Sequence, residues 1–285
     1  MSTSVIAAVL FAALMHAGWN ILVKRHARIG VSGVSAAPTV LVVAGSGLLC
    51  AAALPFVAAP APASWPFIAA SALVQTLYYR LLAETYRGGD LSHAYPLMRG
   101  CAPPIVALAG MLMGERLSGA QWLALGLVCG GVLGIFLDAA RVAPAARRTT
   151  LLALATACVI ASYTLIDGAG VRRSGAPAGY TMWIFVATAC VLIALEGRGE
   201  RRALLAAARR QPLILLGGGA MSAASYGIAL WAMTRAPVAL VAALRETSIL
   251  FATAIAVLVL RERVSRGRLL AVALIACGAA TMRLA

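Results

Sequence analysis

Residues 92–117 read SHAYPLMRGCAPPIVALAGMLMGERL, and residues 239–264 read ALVAALRETSILFATAIAVLVLRERV. The two stretches stand 147 positions apart and share one plan. Each has a charge early in the span, then an apolar run, then a closing Glu-Arg pair. The match extends without a gap from Tyr79–Leu137 onto Tyr226–Leu284. Tyr79 falls on Tyr226, Arg99 on Glu246, and Gly114-Glu115-Arg116-Leu117 on Arg261-Glu262-Arg263-Val264. In each copy two long apolar segments precede the charged run and one follows it. A repeat built from segments this long and this apolar is not a solenoid signature; it duplicates a membrane bundle.

The composition agrees. Of 285 residues, 62% are hydrophobic and 12% charged, with a mean hydropathy of +0.92. A soluble domain is about half apolar and about a quarter charged. Ten apolar spans are read, over residues 4–23, 34–57, 65–86, 92–113, 119–137, 150–166, 178–195, 212–233, 238–260 and 268–282. Most are long enough to cross roughly 30 Å of hydrocarbon as a helix. The short alternating segments of a closed barrel are absent. The fold class is therefore an all-α polytopic membrane protein. The first span lacks a basic leader and ends in Lys24-Arg25, so it reads as a retained helix. The six cysteines lie in separate spans with no CxxC pair, which suits apolar packing and not a metal or disulfide.

The net charge of +15 orients the chain in the bilayer and does not mark a nucleic-acid site. Odd-numbered loops hold sixteen Lys and Arg residues, including Arg141, Arg147, Arg148 and the run from Arg198 to Arg210. Even-numbered loops hold four: Arg116, Arg172, Arg173 and Arg235. The odd loops are thus expected in the cytoplasm and both termini in the periplasm. Five spans per half is an odd number, so the second copy enters the membrane inverted. The expectation is ten transmembrane helices in two inverted five-helix repeats, residues 1–141 and 142–285, around a central cavity. The basic, Ala/Leu-rich run 197–211 reads either as a loop or as a short interfacial helix.

Several motifs together resemble the EamA-type drug/metabolite transporters. These are His16-Ala17-Gly18-Trp19-Asn20 with Lys24, Ala94-Tyr95-Pro96-Leu97 running into the first Glu-Arg loop, and the ninth span running into the second. The resemblance covers nearly the whole chain as two five-helix units. It implies a secondary transporter in a bacterial inner membrane, exporting amino acids or related metabolites. The general pattern is similar to the YddG-type aromatic amino acid exporters, without a diagnostic motif.

Polar groups inside a bilayer are costly, so they tend to face the bundle interior and mark a pathway. Gln75, Tyr78 and Tyr79 follow helical spacing on one face of the third span; Ser222, Ser225 and Tyr226 repeat it in the eighth. Trp19 and Tyr163 correspond at an offset of 144. With Tyr95 these aromatics read as a wall for an amphiphilic substrate, or as ordinary packing and interface anchors. Arg99, Arg245 and Glu246 read as a charged centre for substrate or gate, or as a static pair joining two helices. Arg80 and Glu84 read as an i,i+4 pair near the membrane surface. His16 and His93 read as packing residues able to titrate. Gly126, Gly130 and Gly134 form a small-residue stripe expected to seat the fifth span against the tenth.

No enzyme motif is present: no GxSxG, phosphate-cradling loop, HExxH or metal cluster. The expected partners are a small-molecule substrate and lipid, with no cofactor and no nucleic acid; the sequence is compatible with a monomer. Two competitors remain, a nucleotide-sugar or phosphorylated-metabolite antiporter and a non-transporting scaffold.

Overall fold

A computed structural model describes residues 1–27, 37–88, 91–142, 146–258 and 265–284. Among them the chain is helical and holds no strand. The first half contains α1 (Thr3–Ala27), α2 (Ala37–Ala53), α3 (Trp65–Gly88), α4 (Leu91–Leu112) and α5 (Gly119–Val142). The second contains α6 (Arg147–Ser174), α7 (Pro177–Arg210), α8 (Gly219–Met233), α9 (Val238–Arg245), α10 (Ser248–Leu258) and α11 (Arg266–Leu284). Among the described residues, seven helical segments are long and apolar enough to cross a membrane, with α9 and α10 counted as one. Large apolar side chains stand exposed around the bundle, Leu112 at 92% and Phe56 at 86%. That surface suits hydrocarbon, not water.

Two helices outrun the spans read from the sequence. The sixth was placed at 150–166, yet α6 continues to Ser174 and stops only at Gly175, whose φ of 64° is left-handed. Gly168 and Gly170 do not break it, because they serve packing. A Cβ on Gly168 would meet Val238 at 2.6 Å, and one on Gly170 would meet the Tyr180 hydroxyl and Phe67. The run 197–211 is no loop either, since α7 stays helical through it to Arg210.

Close contacts sort the loops into two ends. At one end the Ala61 N–H donates to Ser174 O at 2.9 Å. At that same end Arg172 donates to Glu115 Oε1 (2.8 Å), Met233 O (2.8 Å) and Ala236 O (3.0 Å). Glu115 Oε1 also accepts from the Val238 N–H at 3.3 Å, at the start of α9. Loops two, four, six and eight therefore meet. At the other end Arg148 pairs with Glu84 at 2.5 Å, and Ser265 Oγ donates to Asp138 Oδ2. Arg261 to Val264, the second Glu-Arg loop, and the His93 side chain lie outside what is described.

The helix pairs include α1 with α8, α3 with α6 and α7, α2 with α7 and α8, α4 with α5, α6 and the α9–α10 span, and α5 with α11. The α5–α11 seam forms as expected but on a different face. A Cβ on Gly131 would meet Ala271 O at 2.7 Å, and one on Gly278 would meet Val128 N at 2.8 Å. Gly126 and Gly130 face open space, and a Cβ on Gly134 would meet only the Ala271 Cβ, at 3.6 Å. One residue turns a helix face by about 100°, so the stripe one position away from Gly131 points elsewhere.

Candidate functional site

The ninth span is interrupted where its sequence turns polar. Helix α9 ends at Arg245 and α10 begins at Ser248. Between them the Glu246 N–H donates to Ala243 O (2.9 Å) and the Thr247 N–H to Leu244 O (3.1 Å). These are i+3 bonds in place of i+4, tightened further by Thr247 Oγ1 donating to Leu244 O at 2.7 Å. A broken span is tolerated in a membrane only where protein surrounds it. Here it does: every residue from Val238 to Ile249 is buried.

The break presents two charges to α4. Arg99 Nε lies 2.8 Å from Glu246 Oε2, and Arg99, Glu246 and Arg245 are 5%, 4% and 8% exposed. Arg99 also lies 5.9 Å from the centroid of the Tyr95 ring. Arg245 sits 5.0 Å from the centroid of Tyr226. Both are cation–π contacts, strengthened by the absence of water. From Tyr226 the rings run on: Tyr163 at 6.2 Å and Phe185 at 6.1 Å, then Tyr163 to Tyr78 at 5.8 Å and Tyr78 to Tyr79 at 5.0 Å. Arg99 Nη2, Arg245 Nε and Ser248 Oγ are buried without a hydrogen-bond partner among the described residues. A buried donor left unmade is expensive, and three orphaned polar groups at one broken helix have the chemistry to receive a polar ligand.

A second polar knot adjoins the first. Asp167 of α6 is fully buried. Its Oδ2 accepts from the Tyr226 hydroxyl at 2.5 Å and from Gln75 Nε2 at 3.2 Å, and its Oδ1 from the Tyr180 hydroxyl at 3.2 Å. Gln75 Nε2 also donates to Ser71 Oγ at 2.9 Å. Helices α3, α6, α7 and α8 are thus tied at one carboxylate. Tyr226 belongs to both knots, its hydroxyl on Asp167 and its ring under Arg245.

Residues 147–284 match the model of the EamA-like transporter family. The second half of the chain is thus an EamA-like transporter unit. The protein is accordingly a multi-pass membrane protein of a transporter type, not an enzyme. No curated protein matches it. A solved crystal structure, titled only as that of a protein, shares the fold at a TM-score of 0.73 and 18% identity, covering 100% of this chain and 98% of the other.

Within this EamA-like bundle the sequence-read residues divide. Tyr78, Tyr95, Arg99, Tyr163, Tyr226, Arg245 and Glu246 gather around the broken ninth span. Gln75 goes to Asp167. Tyr79 packs beside Val40, Val43, Ala189 and Leu192, and Trp19 beside Leu41, Val42, Ala207 and Ile214. Both lie toward the α2–α7 layer, although Trp19 Nε1 is buried without a partner and its ring meets His16 edge-on at 5.2 Å. Tyr79 and Tyr226 therefore have different surroundings despite their matched positions. Asp167 escaped the sequence reading because the sixth span was ended at Ile166.

Proposed function

We propose that this protein is a secondary exporter of amino acids, aromatic ones foremost, working by alternating access in a bacterial inner membrane. The observation that carries the reading is the set of unpartnered buried groups beside the Arg99–Glu246 pair. A zwitterion brings a carboxylate for the guanidinium N–H groups of Arg99 and Arg245 and an ammonium for Glu246. Its side chain then meets Tyr78, Tyr95, Tyr163 and Tyr226. Apolar walls with few convergent polar groups are the usual anatomy of a small-molecule site. An unpaired charge at this depth costs several kcal/mol, so a substrate carrying both signs is favoured over a neutral one.

Two inverted five-helix units, 1–141 and 142–285, are the architecture we assign to this activity. The helix pairing supports it. Exchange each helix for its counterpart in the other half, and α3 with α6 becomes α8 with α1, while α2 with α7, α5 with α11 and α4 with the α9–α10 span map onto themselves. The charged centre then lies between the units, where such folds bind substrate.

The test is counterflow. Proteoliposomes loaded with unlabelled L-phenylalanine are diluted into labelled L-phenylalanine, with L-tryptophan, L-leucine, L-glutamate and UDP-glucose as competitors. Uptake that aromatic amino acids suppress and UDP-glucose does not is the expected result. Label entering no faster than into empty liposomes, or suppression by UDP-glucose alone, overturns it.

A further inference from the structure

Asp167 is not used by the substrate reading, yet it is the one acidic residue in the described core without an ion pair among the described residues. Its partners are neutral donors from three other helices: Gln75 of α3, Tyr180 of α7 and Tyr226 of α8. Several charged groups among the described residues on the elements packed against α6 are engaged elsewhere, Glu84 of α3 by Arg148. Arg99 of α4 is held by Glu246, with Tyr95 beside it. Arg245 of the ninth span lies over the Tyr226 ring, and the start of α9 meets α6 through apolar Val238. On α6 itself Tyr163 sits one turn earlier. Arg172 is taken by Glu115 and two carbonyls, and Arg173 by Ala169 O and the Phe67 ring. The turn Pro62–Ser64 offers only a neutral hydroxyl, bonded to Ala61 O.

This surrounding houses either protonation state. Ionised, the carboxylate accepts from two phenols and an amide. Protonated, it becomes a donor, and one of the same phenol oxygens turns to accept. Tyr226 holds the shorter bond and is the phenol that also touches the charged centre. We propose that Asp167 is the proton site of this transporter, exchanging protons with solvent as the bundle alternates and linked to Arg99, Arg245 and Glu246 through Tyr226. With Asp167 ionised, Tyr226 is fixed as donor and its ring stays under Arg245, so the substrate site is assembled. With Asp167 protonated, the Tyr226 hydroxyl is released, the ring loosens and Arg245 loses its seat. Proton and substrate oppose one another, and by linkage substrate binding expels the proton. A proton entering from one side is thus exchanged for substrate leaving from the other. This rests on the transport reading above.

The experiment has a transport arm and a substrate-free arm. In proteoliposomes, wild type should accumulate labelled L-phenylalanine when an opposing pH gradient is imposed, and a trapped pH dye should report protons moving the other way. Asp167→Asn keeps an amide oxygen that accepts from the Tyr226 hydroxyl but has no proton to exchange, so it holds the assembled site and should still show counterflow, with no response to the gradient and a flat pH dependence. Tyr180→Phe removes one donor to the carboxylate outside the substrate site. It should keep coupling while the pH profile of driven uptake moves upward. In the substrate-free arm, infrared difference spectra of wild type should show a protonated-carboxyl C=O band that titrates and is absent from Asp167→Asn. Three outcomes overturn the proposal. One is a gradient response in Asp167→Asn equal to wild type. Another is a wild-type spectrum whose titrating band survives the substitution. The third is loss of counterflow together with coupling, which marks a structural brace. If wild type itself shows no counterflow, the transport reading fails, and the infrared band still decides whether Asp167 takes a proton. If Asp167→Asn does not fold, Tyr180→Phe decides: an unmoved profile sinks the idea.

Discussion

Arg99 and Glu246 belong to different helices and to different halves, and they meet at 2.8 Å with almost no solvent. Removing one partner of a buried pair strands the other, at a cost of about 3–5 kcal/mol. Glu246→Gln should therefore lower both thermal stability in detergent and transport. Removing both charges separates the two effects. In Arg99→Gln/Glu246→Gln, stability should recover toward wild type while transport stays at least about tenfold down, about 1.4 kcal/mol in transition-state terms. A double variant that regains transport makes the pair a static brace and ends its role in binding. Arg245→Gln should leave stability closer to wild type, because its guanidinium is held by a ring and not by a carboxylate. Its counterflow should still fall. These three residues were legible in the sequence for a plain reason: charge inside an apolar run is expensive, so its depth alone singles it out. Asp167 carries the same signal but is followed by Gly168, Ala169 and Gly170, which read as a helix end. Only the packing against Val238, Phe67 and Tyr180 reveals those glycines as close-approach residues.

At the scale of elements the instructive contrast is the α5–α11 seam. That the two helices pair was legible from their position in the repeat and their small residues. Which face they use was not, because several glycines compete and spacing alone does not rank them. The backbone decides it. A Cβ on Gly278 would meet Ala124 O at 2.9 Å and Val128 N at 2.8 Å, whereas one on Gly126 would meet nothing within 4 Å. Gly278→Leu should thus push the helices apart, costing roughly 1–3 kcal/mol or more, since backbone cannot yield as a side chain can. Gly126→Leu should be nearly silent and add lipid-compatible surface. Melting curves in detergent for the two variants check this; equal losses would place the seam elsewhere. The break between α9 and α10 was similarly half-legible. The consecutive Arg245-Glu246-Thr247 announced polarity in the span, but its i+3 geometry depends on Thr247 capping its own turn.

The whole molecule raises the question of which end faces the cytoplasm. The contacts group the loops by parity. Arg148 with Glu84, and Asp138 with Ser265, draw together loops three, five and nine. The α6–α7 hairpin turns in two residues, so the exposed Arg209 and Arg210 stand at the same end as exposed Arg147 and Arg148. Glu115, Arg172, Ala61 and the α8–α9 turn gather at the opposite end. The loops that meet at the first end are those with the excess of Lys and Arg. Basic flanks resist translocation, so we propose that this end faces the cytoplasm and the other the periplasm. With the ten spans proposed above, the C-terminus returns to the side of the N-terminus, and the expectation is that both are periplasmic. Labelling decides the matter, but the six native cysteines must first be replaced, because Cys158, Cys190 and Cys277 are exposed on the bundle surface. On that background, a single cysteine at Ser2 or Arg283 should react with a membrane-impermeant maleimide in intact cells. One at Arg209 should react only after the membrane is opened. The loop contacts fix which positions share a side whatever the charges do. A reversed pattern at all three sites would therefore leave the fold standing and overturn only the orientation, whereas Arg209 reacting from the same side as Ser2 would break the parity of the bundle itself.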